Sequence, residues 1–297
     1  MDLKFARELM EKTGFPAEAV KELLTQGEKL TLPDMQCGFQ ALMDAYRESN
    51  FDGWAVKPTV EELAEKAGMH PYTLWLLLLI ECAGKVKPLY LQKGFSEAVY
   101  WDTFCDLKYK LWECWENYGI WGNFVAFWYG IFFRADIMKL GRLEFENRSW
   151  HLDTPYVCGG VTVHKGDPVL SIHIPSSGEP FDRETVMDSL RRAYEFCGRD
   201  VMVCVCHSWL LYPGYENVWP KGGNIRDFRT LFDVISSADS EVFDDGWRVF
   251  RNEWGCDKEA LPERTAMHRA FKSHILSGGK FGDGYGVLLF DGEKIIH

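Results

Sequence analysis

The stretch between residues 167 and 213 constrains the fold most strongly, because it reads as a strand, a short loop, a helix and a second strand in immediate succession. The strands are predicted over Pro168–Ile174 and Val201–Leu211, and both are rich in the aliphatic residues typical of buried strands. Helical spacing of apolar residues predicts a helix over Asp182–Cys197, with Asp182 as its N-cap. A strand that enters a helix through a Ser/Gly loop directs several backbone N–H groups to one place, which favours binding of an anion or a polar cofactor there.

Composition narrows the class of protein. Apolar residues make up 46% of the 297-residue chain, and the net charge of −11 argues against a nucleic-acid partner. The nine cysteines are an odd, scattered set without metal-finger spacing, which predicts buried thiols, no metal site and a reducing cytoplasm. The amino terminus lacks the apolar core of a signal peptide. The two most apolar runs, Thr73–Ile80 and Ile120–Phe133, are shorter than the roughly 20 residues of a membrane span, so we expect no membrane partner.

The chain is predicted to be α+β with two domains, a helical one over residues 1–136 and a mixed one over 137–297. Apolar periodicity and start signals predict these helices in the first domain: Leu3–Thr13, Pro16–Gln26, Pro33–Asn50, Thr59–Ala67, Pro71–Cys82, Glu97–Asn117 and Trp121–Arg134. The additional elements predicted in the second domain are a strand over Arg142–Trp150, a hairpin of Tyr156–His164 with Pro168–Ile174, a helix from Asn224 through Ile235, a strand over Trp247–Phe250, a helix over Pro262–Leu276 and a strand over Tyr285–Phe290.

A helix-turn-helix rhythm over Thr59–Ile80, with Gly68 at the turn, raises the possibility of a DNA reader. The second helix has no Arg, Lys, Asn or Gln between Tyr72 and Ile80 that could contact a base edge. We therefore interpret the segment as a helical hairpin that serves packing alone. Whether the Trp- and Phe-rich helices also form a homodimer face stays open.

Several short motifs resemble a bacterial two-domain GNAT-like acyltransferase family, in which a helical domain precedes a domain similar to the GNAT acyl-CoA-dependent transferases. The motifs are Leu140–Glu146, His173-Ile174-Pro175, Ser208–Leu211 followed by Pro213, and Asn224-Ile225 with Phe228. The resemblance implies acyl-CoA, acetyl or longer, as co-substrate and an amine of a small molecule or peptide as acceptor. It also implies that the fourth and fifth strands of the core splay apart and admit the pantetheine arm. Pro175 suits that geometry, because it has no N–H for a neighbouring strand.

In that framework the expected cofactor-binding residues are Ile172, Ile174, Ser176, Ser177, Gly178 and Arg183. The loop departs from the usual Arg/Gln-x-x-Gly-x-Gly/Ala pattern, because it has one glycine and is followed by acidic residues such as Asp182. Carboxylates beside a diphosphate weaken its binding. This departure supports an alternative hypothesis, a catalytically inactive GNAT-like module that binds a ligand or a partner.

The reaction needs a base for the acceptor amine and an acid for the leaving thiolate. His173 and Glu146 are the candidate bases, and Ser208 and Tyr212 are the candidate proton donors. Each has a plainer explanation: a hydrogen-bonded core imidazole for His173, an exposed strand-face acid or an ion pair with Arg142 for Glu146, and ordinary hydrogen bonding for the two hydroxyls. A hydrolase that uses Glu144 or Glu146 is a more remote possibility, because it requires a second carboxylate nearby.

Three further motifs are explained by structure alone. Cys204 and Cys206 share one strand face while His207 points to the other, so they predict buried thiols rather than a Cys–His nucleophile. Pro220–Asn224 precedes a helix with Arg226 and Arg229 and forms a second candidate anion site, although N-capping by Asn224 explains it. The glycines over Gly278–Gly286 follow a helix and precede a strand, which indicates a helix stop and a turn instead of a dinucleotide loop.

Overall fold

The computed structural model describes residues Met1–Ile296, which divide into two compact units, one of Met1–Lys139 and one that begins at Leu140. The α+β class predicted above is confirmed, with a helical first unit and a mixed sheet flanked by helices in the second. The helices of the first unit are α1 (Leu3–Thr13), α2 (Ala17–Lys29), α3 (Pro33–Glu48), α4 (Gly53–Ala67), α5 (Pro71–Gln92), α6 (Glu97–Phe104), α7 (Asp106–Tyr118) and α8 (Gly130–Phe133).

Helix α5 is the centre of the first unit. Its residues Thr73–Ala83 are all buried, and it contacts α1, α2, α4, α6 and α7, which explains why apolar residues occur all round it. It continues through Pro88 to Gln92, ten residues beyond the predicted end, although a proline inside a helix removes one backbone hydrogen bond. The predicted helix over Glu97–Asn117 is interrupted at Cys105 and forms α6 and α7. None of the described helices is long and apolar enough to span a membrane.

The second unit contains the remaining elements. Its helices are α9 (Arg183–Cys197), α10 (Asn224–Arg229), α11 (Gly246–Phe250) and α12 (Ala266–Leu276). The strands are β1 (Ile137–Leu140, at the boundary between the units), β2 (Leu143–Ser149), β3 (Tyr156–Cys158), β4 (Val161–Val163), β5 (Pro168–His173), β6 (Met202–Ser208), β7 (Asp233–Ser240), β8 (Phe281–Phe290) and β9 (Ile295–Ile296).

The main sheet of this unit has the strand order β2-β5-β6-β8-β7, and β9 pairs with β8. Strand β5 is antiparallel to β2 and parallel to β6, while β8 is antiparallel to both β6 and β7. The predicted hairpin between residues 156–164 and 168–174 is wrong. Strands β3 and β4 pair with each other across Gly159-Gly160, and β5 pairs with β2 instead.

One helix prediction and one further strand prediction are also wrong. The helix that begins at Asn224 ends at Arg229, and the predicted helical continuation forms β7, whose polar sequence gives no alternating pattern. Residues 246–250 form the short helix α11 rather than a strand.

A stripe of glycines on β8 determines how the segment after β6 packs. Gly282, Gly284 and Gly286 alternate along the strand and belong to the sheet, because β8 begins at Phe281, four residues before the predicted strand start. A Cβ atom at Gly284 would collide with the backbone of Leu211, and one at Gly282 would collide with the ring of Tyr212. The stripe therefore allows the 3-10 turn over Trp209–Leu211 to lie directly on the sheet.

Candidate functional site

Glu146 and His173 form a hydrogen-bonded pair on one face of the sheet. Glu146 lies opposite Ser171 in the antiparallel pairing of β2 with β5, and His173 is two residues further along β5, so the two side chains are diagonal neighbours. The Oε2 atom of Glu146 is 2.9 Å from Nε2 of His173. Glu146 is 4% exposed, whereas His173 is partly exposed. The structure thus unites two candidate bases that the sequence presented separately.

Arg148 completes this group. Its Nε atom donates to Oε1 of Glu146 at 2.9 Å, so both carboxylate oxygens have a cationic or potentially cationic partner. Burial by itself raises the pKa of Glu146, but the hydrogen bonds and charges of His173 and Arg148 outweigh it and hold the pKa below its ordinary value. The expected ion pair with Arg142 is wrong, because Arg148 takes that place. A carboxylate that stays ionised next to an imidazole stabilises the imidazolium form.

Strands β5 and β6 diverge beside this pair. In the described chain they pair at two positions, Leu170 with Cys204 and Ser171 with Val205, whereas β5 stays paired with β2 as far as His173. Pairing therefore ends four residues before Pro175, so the missing N–H of that proline is not what separates the strands. Ile172 is buried and His173 and Ile174 are partly exposed where the strands part. The predicted splay is present, because the two strands separate after Ser171 and Val205.

Arg142 fixes the loop that follows β5. Its Nη1 atom donates to the carbonyl of Pro175 at 2.9 Å, its Nε atom donates to the carbonyl of Glu179 at 3.3 Å, and the guanidinium lies 5.2 Å from the ring centre of Phe181. Arg142 is 8% exposed. This buried guanidinium was missed in the sequence, because the carbonyls that it binds lie more than 30 residues away.

The loop and the start of α9 contain the expected cofactor-binding residues. Ser176, Gly178 and Arg183 are exposed, Ser177 is partly exposed, and Gly178 has a φ of 74° that favours glycine. Asp182 caps α9 as predicted, accepting from the Thr185 N–H at 2.9 Å. That backbone hydrogen bond, together with others at the helix start, lowers the pKa of Asp182. The helix therefore already has a carboxylate at its amino end, where a diphosphate would otherwise bind.

The two candidate proton donors are held by other groups. The Ser208 hydroxyl accepts from the Leu210 N–H at 3.1 Å and caps the 3-10 turn over Trp209–Leu211. Tyr212 donates to Oδ1 of Asp239 at 2.6 Å, and Lys280 donates to the other carboxylate oxygen. The hydrogen bond to Asp239 raises the pKa of Tyr212 to about 12, which makes Tyr212 a weaker acid than ordinary tyrosine.

Further polar groups lie on the same sheet face as His173. Side chains alternate along β6, so His207 points to the same side as Val205, the register partner of Ser171. The rings of His207 and Tyr285 are 6.2 Å apart, and burial raises the pKa of nearby Asp283. The predicted burial of Cys204 and Cys206 is confirmed, and burial raises the pKa of Cys206 to about 12, so it is a poor nucleophile. Among the described residues there is no cluster of three or more metal-ligating side chains.

Comparison with known proteins identifies both halves of the chain. The model described as the GNAT-like C-terminal domain matches residues 137–288, and the N-acyltransferase N-terminal domain model matches residues 4–135. No curated protein matches the sequence. Three similar solved structures each cover 95% of this chain and 86% of their own. They are an acyltransferase with decanoyl-CoA and teicoplanin (20% identity, TM-score 0.74), one with CoA and 10C-teicoplanin (20%, 0.73) and one with decanoyl-CoA (21%, 0.71).

At this level of identity the solved structures establish a shared fold. The family models cover almost the whole chain and occur in the order that the sequence motifs indicated. The chain therefore belongs to the family of two-domain proteins in which an N-acyltransferase N-terminal domain precedes a GNAT-like C-terminal domain.

Proposed function

We propose that this protein is an acyl-CoA-dependent acyltransferase that moves an acyl group to an amine of a small molecule or peptide. The observation that carries the proposal is the Glu146–His173 pair, which lies where β5 separates from β6. A basic group beside a gap between strands is what transfer from a thioester to an amine requires. The fold shared with acyltransferases bound to decanoyl-CoA supports the same donor class.

His173 is the proposed base. Ionised Glu146 accepts a hydrogen bond and so selects the tautomer with the proton on Nε2, which makes Nδ1 the basic nitrogen of the neutral ring. The acceptor amine gives a proton to Nδ1 while its nitrogen attacks the thioester carbonyl. The carbon–sulfur bond then breaks, CoA departs as a thiolate, and a proton returns to the sulfur. Glu146 stabilises the imidazolium formed in the first step.

The cofactor-binding role of Ile172, Ile174, Ser176, Ser177, Gly178 and Arg183 is part of this proposal. The β5 backbone beyond Ser171 would pair with the amides of pantetheine, and the loop held by Arg142 would face the diphosphate. Ser208 and Tyr212 remain candidate donors to the thiolate. Acidity favours neither of them, because proton transfer from a phenol whose pKa is about 12 to a thiolate is energetically uphill, and an aliphatic hydroxyl such as that of Ser208 is a weaker acid than a phenol.

A second candidate function is a catalytically inactive ligand-binding module. The observation that favours it is the Asp182 carboxylate at the amino end of α9, which competes with a diphosphate for the same N–H groups. Isothermal titration of acetyl-CoA and decanoyl-CoA into the folded protein, followed by thiol release with a panel of primary amines, separates the two functions. Binding with amine-dependent thiol release supports the transferase. Absence of binding at millimolar acyl-CoA supports the module.

A further inference from the structure

The sequence analysis explained the motif at the start of α10 by N-capping, and the structure does not support that explanation. Asn224 was expected to cap this helix, but Asn224 is its first residue, Gly223 precedes it, and no side chain of the described chain caps it. Capping therefore does not account for the residues that follow. Arg226 and Arg229, both partly buried, are left as the feature to be explained.

Arg229 has a guanidinium nitrogen that lacks an acceptor. Its Nη1 atom is buried and forms no hydrogen bond within Met1–Ile296. Burial lowers the pKa of Arg229. The positive charge of Arg226 lowers this pKa further, whereas the negative charge of the exposed Glu216 raises it in part. A buried donor without an acceptor costs free energy, and a charged one costs more. Such a group is retained at a cost to stability, as binding residues often are.

The surroundings of Arg229 suit a ligand. Helix α10 contacts α9 and the 3-10 turn over Trp209–Leu211, which directly follows β6. Ile225, one helical turn before Arg229 and on the same side, packs against an aromatic cluster that contains Trp219. The Trp219 Nε1 atom is a second buried donor that has no acceptor among the described residues. An apolar aromatic wall with uncommitted donors is typical of a small-molecule site.

We propose that Arg229, supported by Arg226, binds an anionic group of a ligand beside the turn that follows β6. The group is a phosphate or a carboxylate, because a guanidinium fork matches both. The inference extends the proposed function and rests on it only in naming acyl-CoA as one source of the anion. The other source is a carboxylate on the acceptor.

The test compares wild type with Arg229→Met, which keeps the apolar length of the side chain and removes its charge. Arg229→Gln serves as a second variant should the first not fold, and Arg191→Met, on the exposed face of α9, is the matched control. Binding of CoA, 3′-dephospho-CoA, inorganic phosphate and acetate is followed by isothermal titration and thermal shift. We expect Arg229→Met to melt at or above the wild-type temperature without ligand, and to bind its anion about tenfold to a hundredfold more weakly.

The pattern of losses identifies the source. Weaker binding of CoA but not of 3′-dephospho-CoA indicates the 3′-phosphate, an equal loss for both indicates the diphosphate, and a loss confined to acetate indicates the acceptor. Phosphate or acetate could stabilise the wild type but not the Arg229 variants, while CoA does not bind. That result would support this inference and contradict the transferase proposal. Unchanged affinity of both Arg229 variants for all four probes overturns the inference, and leaves the transferase proposal intact if CoA binds.

Discussion

Glu146 and His173 lie on adjacent strands 27 residues apart in sequence, yet their Oε2 and Nε2 atoms are 2.9 Å apart because the register of β2 with β5 makes them diagonal neighbours. The pair depends on backbone pairing that continues to His173 while β6 has already departed. The relative placement of the two residues is thus set by the backbone pairing of the sheet. We expect this backbone pairing to remain when either side chain is replaced.

The first prediction concerns catalysis by this pair. His173→Ala should lower turnover by roughly 10²- to 10⁴-fold, the range of general-base contributions, because it removes the group that accepts the proton. Glu146→Gln should also lower turnover, because an amide no longer stabilises the imidazolium. The measurement is steady-state thiol release with acyl-CoA and a primary amine. Glu195→Gln, an exposed change on α9, is the control. Wild-type turnover in both site variants would remove the pair from the mechanism.

The second prediction concerns pH. The folded-state pKa of Glu146 is below its ordinary value of 4.5, so the ionised carboxylate stabilises the native state above that pH and loses this contribution as pH falls through the folded-state pKa. The difference in unfolding free energy between wild type and Glu146→Gln should therefore shrink as pH falls below about 4.5. Urea denaturation at several pH values measures it. A difference that is constant with pH would contradict the assigned ion pairs.

The third prediction concerns the loop that follows β5. Arg142→Met should destabilise the protein by about 1–3 kcal/mol, because the carbonyl groups of Pro175 and Glu179 lose buried charged donors. Amide hydrogen exchange between residues 176 and 181 should accelerate, and acyl-CoA should bind more weakly. Arg148→Met, which leaves these carbonyls untouched, is the comparison. Unchanged exchange in the loop would show that Arg142 does not hold it.

The fourth prediction concerns the glycine stripe on β8. Gly284→Ala should destabilise the fold by about 1–3 kcal/mol, because the new methyl group meets the Leu211 backbone, which cannot easily move. Gly255→Ala is the matched control, since no atom lies within 4 Å of the position that its Cβ would occupy. Thermal melting compares them. Equal melting temperatures would mean that the turn over Trp209–Leu211 tolerates displacement.

Local patterns sufficed for some elements and failed for others. Helix α9 and its cap at Asp182 follow from apolar spacing and capping chemistry, and both are found within one residue of the prediction. Strand β7 was missed because its sequence, DVISSADS, is polar and mostly exposed, so its strand character comes from pairing with β8. The hairpin error has the same origin, since β5 had two possible partners and only the three-dimensional fold selects β2.

The residues of the site could be predicted from the sequence, but the contacts between them could not. Glu146 and His173 could each be chosen from residue type and position, but their contact required the register. Arg148 pairs with Glu146 in place of Arg142, because it lies two residues along β2 on the same face, whereas Arg142 binds the carbonyl groups of the loop. Arg229 appeared in the sequence as part of a capping motif, and only its burial revealed a donor without an acceptor.

The most direct test of the central claim is a crystal structure of the protein with decanoyl-CoA. We predict that the pantetheine arm lies between Ile172–Ile174 and Cys206–Ser208, hydrogen-bonded to the backbone of β5, with the thioester near His173. A cofactor bound elsewhere, or side chains filling the space between these two strands in the complex, would contradict it.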